Sequence, residues 1–271
     1  MKSPKEQSLD IKIIKALEEL NPDGKALETA RLILADEEIK VTQQYANNVA
    51  LIRLGYNDHG PVHMHSVVLN AIIMLGLLKQ ADIKTSLEKE GVGSFEDSLS
   101  AVIFAAMLHD LGMSVGRQDH EIHSVYLAMP ILDRLLPAVY QDNLQKKVMI
   151  RSLALEGIYG HMGSRTIHSL EAGVVQVADG CDMTKGRARI PIALYQNSTS
   201  GSIHKFSANS IEEVRISGGK EKPIRIEVLM SSEVGIFQIE EVLLTKIASS
   251  TAKPYIELYA QVNEEDPKQY L

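Results

Sequence analysis

Residues 99–108, LSAVIFAAML, contain one polar side chain, Ser100, and run straight into His109-Asp110. A helix this apolar has to lie inside the molecule. It therefore carries an imidazole and a carboxylate to a buried end, where both are costly to desolvate unless something satisfies them. Two arrangements meet that demand: local capping hydrogen bonds, or a metal ion held by both groups. The rest of the chain has to decide between them.

Up to about residue 197 the sequence reads as helix after helix. SLDIKIIKALEEL opens on Ser8 as an N-cap candidate, with Ile11, Ile14 and Leu17 at helical spacing. DGKALETARLILADEEIKVTQQYANNVALIRLGY holds one or two further helices, and HMHSVVLNAIIMLGLLKQA is apolar on most faces, as a core helix is. Further helices are expected near 120–136, 140–157 and 168–184. After NSTSGS the pattern changes. IEEVRISGG, PIRIEVLMSS and KPYIELYAQV alternate as strands do, with Ile224, Ile226 and Val228 on one face. The turn-rich GGKEK joins the first two as a hairpin, and EVGIFQIEEVLLTKIASS between the second and third is an amphipathic helix. The fold class is mainly α: an all-helical domain over residues 1–200, then a small α+β domain over 203–271, ordered strand, strand, helix, strand.

Composition narrows the function. A net charge of −7 argues against general nucleic-acid binding, and the lack of tryptophan with 5% aromatic residues leaves little for base stacking. A lone cysteine, Cys181, excludes an internal disulfide and a thiolate metal site, and fits a reducing cytoplasm. The N-terminus lacks the apolar core of a signal peptide, and no stretch approaches 18 uninterrupted apolar residues, so no membrane association is expected.

Eight of the nine histidines fall between residues 59 and 168. In DHGPVHMHSVV, His63 starts the apolar helix, with His59 in the preceding loop and His65 turned to another face. In AAMLHDLG, His109 offers a nitrogen and Asp110 an oxygen at a helix end, with Gly112 as a helix stop. In GVVQVADGCD, Asp179 ends an apolar helical run and Asp182 follows three residues later on roughly the same face. Each station alone has an ordinary explanation: a polar helix start, a carboxylate on local amides, a surface ion pair. Nearby cations Lys185, Arg187 and Arg189 alternate in TKGRARIP, and Arg117 precedes His120; all suit a phosphate clamp or a solvated loop. Neither a GxxxxGK[ST] phosphate loop nor a GxSxG nucleophile motif occurs.

His63, His109-Asp110 and Asp179, in that order on helical runs, with HDLGM and ADG as local contexts, resemble the H…HD…D signature of the HD-domain metal-dependent phosphohydrolases over roughly residues 50–190. The resemblance implies an all-helical fold around a divalent metal bound by these four residues, and hydrolysis of phosphate esters, often of nucleotides. His120 in RQDHEIHSVYLA, with His123 one turn on as its rival, and His161 in EGIYGHMG resemble the extra ligands of two-metal members. One or two ions per chain are thus expected. The mixed nitrogen and oxygen set suits Mn, Fe, Ni, Zn or Mg. A metal-bound hydroxide would attack the phosphate of a small substrate, a nucleotide or related phosphomonoester, with Lys185, Arg187 or Arg117 neutralising charge. Two other readings use the same residues: a di-iron oxygenase of the HD type, and a non-catalytic metal-binding regulator. The C-terminal domain carries no clustered ligands. Covering the site, forming a homo-oligomer and binding a regulator all stay open for it.

Overall fold

The structure, a computed structural model, describes residues 2–185, 207–263 and 265–271. Helix α1 spans Pro4–Leu20 with Ser3 as its N-cap, five residues ahead of the expected cap Ser8. Ser3 accepts from the Glu6 amide while the Glu6 carboxylate accepts from the Ser3 amide, and Pro4 fills the first turn, a combination that fixes the start more firmly than Ser8 could. The buried stripe is Leu9, Ile13 and Leu17, and Ile11 faces solvent. Helices α2 (Lys25–Ala35) and α3 (Glu37–Asn48) are separate because Asp36 is extended and caps the second of them through the Ile39 amide.

Helix α4 (Pro61–Gln80) starts after Gly60, and α5 (Ser86–Glu90) is one short turn. Helix α6 (Phe95–Leu108) begins at a Ser94–Asp97 capping box, and every residue in it except Glu96 is buried. It packs against α2, α4, α8 (Leu144–Gly160) and α9 (Leu170–Cys181), so its apolar run is surrounded by helices. Helix α7 (His120–Tyr140) lies along α8. By length and composition α4 and α7 could each cross a membrane. Here α4 is walled in by α1, α6 and α9, and α7 buries Ala128, Ile131, Leu132 and Leu135.

The C-terminal part is a small four-stranded sheet domain in the order β1 (Ile211–Gly218), β2 (Ile224–Met230), β3 (Ile256–Val262), β4 (Lys268–Gln269). β1 and β2 form the expected hairpin. Its turn is organised by the buried carboxylate of Glu257, which accepts from the amides of Lys220, Glu221 and Lys222. β2 and β3 run parallel, which requires a crossover. That crossover is the helical stretch 236–249, wound more widely over Ile239–Leu244 than an ordinary α-helix. The sheet packs on α4 and the crossover helix on α9. Val177 and Ala178 of α9 share one apolar cluster with Leu243, Ile247 and Ile256, so the core is continuous from the helices into the sheet.

One buried carboxylate locks α9 to the earlier helices. Glu171 accepts from the Ser86 and Leu87 amides at the start of α5 and from Ser98 Oγ of α6 at 2.7 Å. Its removal leaves the two amides without this acceptor and Ser98 Oγ with Thr85 Oγ1 alone, at a cost of about 1–3 kcal/mol for each buried group left unpaired. Glu171→Ala is expected to lower unfolding free energy by about 3 kcal/mol, seen as a lower denaturant midpoint at unchanged slope. A loss below about 1 kcal/mol would show that Glu171 does not hold the helices together.

Candidate metal centre

The ends of five helices meet at one place. His63 is in the first turn of α4, His109 and His161 close α6 and α8, His120 opens α7, and Asp179 is in the last turn of α9. Three of these ends are C-terminal, and helix C-termini carry partial negative charge that favours a cation. Asp110 follows His109 where the chain leaves α6. All six side chains are buried.

Gly112 serves this assembly in a different way from the helix stop that its place after the apolar run suggested. Helix α6 has already ended at Leu108, and Gly112 lies in the short turn Leu111–Ser114. A Cβ there would overlap the His120 carbonyl oxygen, so only glycine lets the His-Asp corner approach the start of α7 this closely. Its amide donates to Ser124 Oγ at 2.8 Å.

The imidazoles stand in two pairs. Nε2 of His63 and Nε2 of His109 are 3.1 Å apart, and so are Nε2 of His120 and Nε2 of His161. Asp110 lies between the pairs. Its Oδ2 is 3.4 Å from both His63 Nε2 and His109 Nε2, and its Oδ1 is 3.2 Å from His120 Nε2 and 3.5 Å from His161 Nε2. Asp179 joins the first pair, with Oδ1 3.3 Å from His63 Nε2. Three overlapping groups of three potential ligands result, and every one of the six sequence-identified candidates belongs to at least one.

The opposite edge of each ring is occupied. His109 Nδ1 donates to the Ala106 carbonyl at 2.8 Å, His161 Nδ1 to Ile158 at 2.6 Å, and His120 Nδ1 to Arg117 at 3.0 Å. His63 Nδ1 donates to Asp182 Oδ2 at 2.7 Å. A neutral imidazole that uses its proton on Nδ1 has a bare lone pair on Nε2. Each pair thus points two lone pairs at one another across 3.1 Å, an arrangement that a shared cation makes favourable. Burial pushes His161 down to about 4, against the pull of Asp110, so it is neutral near pH 7. Burial alone would raise the carboxyls of Asp110 and Asp179. Lys246 beside Asp179 holds that carboxyl well below the usual range. Neutral nitrogens and ionised oxygens are the donor forms a divalent ion takes, so these residues fit one.

The remaining candidates are not among these ligands, although His59 and Arg117 line the cavity over them. His65 is buried on the far side of α4, its Nδ1 2.9 Å from Asp10 of α1. His59 lies in the loop before α4, its ring 6.0 Å from that of His63, and His123 belongs to none of the ligand groups. Arg117 lines the cavity above the centre, with its guanidinium 5.8 Å from the Tyr56 ring. Lys185 is exposed and paired with Glu212 of β1. Arg187 and Arg189 lie outside the described residues. Two further side chains act here. Asp182, which the sequence pattern leaves equally open as a companion of Asp179 or a solvent or salt-bridge residue, orients His63. Lys246, from the crossover helix, bonds Asp179 Oδ2 and donates to the His161 carbonyl at 2.9 Å. Arg117, Glu241, Thr245 and Lys246 line a cavity of about 630 Å³ with Asp110 and Asp179 at its base.

An acceptor behind a ligating imidazole typically contributes about 10–100-fold to metal affinity. Asp182→Ala should therefore weaken Mn²⁺ binding by about 10-fold or more with the fold intact, as read by calorimetric titration. Unchanged affinity would mean that Asp182 has no hold on the site.

Comparison with known proteins agrees with this geometry. The model of the HD domain family matches residues 71–184, a span containing His109, Asp110, His120, His161 and Asp179, with His63 just ahead of it. An uncharacterized protein of Methanocaldococcus jannaschii is 45% identical over 235 residues, 87% of this chain and 88% of its own length. No solved structure matches. HD domains bind divalent metals, and a metal-dependent hydrolase family is what such a domain signifies. With its helical fold, its ordered histidine and aspartate ligands and these matches, the chain belongs to the HD-domain superfamily.

Proposed function

We propose that this protein is a phosphohydrolase that cleaves a phosphomonoester, a nucleotide or a related compound, over a two-ion centre. The observation that carries the reading is Asp110, whose two carboxylate oxygens face two different imidazole pairs. A centre for one ion has no use for that division. His63, His109 and Asp179 would hold one ion with Asp110 Oδ2, and His120 and His161 the other with Asp110 Oδ1. Bound divalent ions supply Lewis acidity toward a phosphoryl oxygen and lower the pKa of a coordinated water to about 7.

The protein's own groups supply the rest. The backbone acceptors behind His109, His120 and His161 and the carboxylate behind His63 fix each ring, so little reorganisation accompanies ligand binding. Arg117, on the cavity wall, would pair with a substrate phosphoryl oxygen. In the reaction one water adds to phosphorus, the ester P–O bond breaks, and the products are the free alcohol and inorganic phosphate. The small phosphorylated substrate and the single buried cysteine suit a cytoplasmic enzyme.

The test is release of inorganic phosphate from a panel of nucleoside monophosphates and sugar phosphates, in separate reactions with Mn²⁺, Fe²⁺, Ni²⁺, Zn²⁺ and Mg²⁺. At least one substrate should turn over, and Asp110→Ala should bring release to the rate without protein. A metal-loaded wild type that hydrolyses nothing on the panel, or an Asp110→Ala variant that still hydrolyses, would overturn the reading.

A further inference from the structure

Among the described residues Lys246 is the one lysine or arginine with less than a tenth of its surface exposed. It follows Ile239 and Leu243 on the inward face of the crossover helix, next to Ile247, where an apolar side chain would pack at far lower desolvation cost. The helix reaches α9 closely there. A Cβ on Gly180 would lie 3.2 Å from both Lys246 Cδ and Leu243 Cδ1, so the glycine after Asp179 makes room for the lysine stem. The wide turn Ile239–Leu244 ends immediately before this segment, and such turns recur at functional sites.

We propose that Lys246 is the phosphate-binding cation of the metal centre, so that the C-terminal sheet domain is an integral part of the active site. The proposal rests on the two-ion phosphohydrolase reading above and adds a residue to it. An ammonium group has three N–H donors. Lys246 gives one to Asp179 Oδ2 and one to the His161 carbonyl, and it lines the cavity that a substrate would enter, which leaves the third for a ligand. Charge points the same way. The ion seated between Asp110 and Asp179 would neutralise the carboxylate that now balances the ammonium. The loaded centre, with Lys246 and Arg117 on its walls, is then positive overall, and a phosphomonoester dianion offsets that charge. The basic run near Asp179, whose alternating cations suggest a clamp, contributes no comparable group among its described residues, since Lys185 is exposed and bound to Glu212.

The experiment uses the full chain loaded with Zn²⁺, and inorganic phosphate as the probe. Calorimetry compares wild type with Lys246→Met, and elemental analysis of both follows the ions. In wild type labelled with ¹⁵N-lysine, the Lys246 ammonium resonance, assigned by its absence from Lys246→Met or Lys246→Arg, is followed as phosphate is added. The expected results are two ions in each protein, phosphate affinity weaker by about 10-fold or more in Lys246→Met, and a Lys246 resonance that moves with phosphate saturation. If Lys246→Met does not fold, the wild-type resonance decides alone. Phosphate affinity within about twofold of wild type, or a resonance unmoved at saturating phosphate, would overturn the proposal. Loss of the ions in Lys246→Met together with an unmoved resonance would make the lysine a prop for Asp179 and overturn it too. Failure of the underlying reading looks different, because wild type would then bind neither zinc nor phosphate.

Discussion

Four imidazole nitrogens face one another in two pairs at 3.1 Å, around a single buried carboxylate, and the rest of the structure is arranged to hold them there. Left alone, such a cluster is unfavourable: lone pairs oppose lone pairs, and two ionised carboxyls sit away from water. The backbone carbonyls of Ala106, Arg117 and Ile158 and the carboxylate of Asp182 commit each ring to the tautomer that keeps the lone pair inward. The unfavourable contacts are therefore fixed in place, and a divalent cation bound there would convert them into bonds. The stability of the helical fold and the chemistry of the centre are tied together, since the helix ends that supply the ligands are set by packing around α6.

That packing explains the division of labour between the two parts of the chain. Helix α6 has almost no exposed surface, so the corner at His109-Asp110 is delivered to a position fixed by α2, α4, α8 and α9. Glu171 anchors α9 at its start, and Asp179 follows two turns later. The sheet domain packs its crossover helix on the same α9, and the cavity over the centre lies between the two parts. A centre of ligands on one side and a wall of Gln238, Glu241, Thr245 and Lys246 on the other gives the site a shape that the helices alone would not have.

Much of this is legible in the sequence because the signals are local. An apolar run that ends in His-Asp is readable at one helix end, and four such stations in order make the ligand set visible in the chain itself. The alternation of β2 shows its inward face in Ile224, Ile226 and Val228. Where local signals compete, the pattern misleads: Ser3 with Glu6 and Pro4 outcompetes Ser8 as the cap, and the stripe of Leu9, Ile13 and Leu17 takes the core in place of Ile11. β4 spans two residues, too few for any periodicity, and the parallel pairing of β2 with β3 is a tertiary fact. Lys246 is 67 residues from Asp179, so no spacing rule connects them. It does leave one trace, a lysine on the stripe of Ile239, Leu243 and Ile247, which is the same kind of charge at an apolar face that marks His109-Asp110.

Titration of the metal-free protein with Mn²⁺, followed by electron paramagnetic resonance, tests whether Asp110 joins two metal ions. Two bound ions per chain are expected, with the altered spectrum of two spins coupled through a common carboxylate. Saturation at one ion, or two ions that keep independent six-line spectra, would contradict such a bridge.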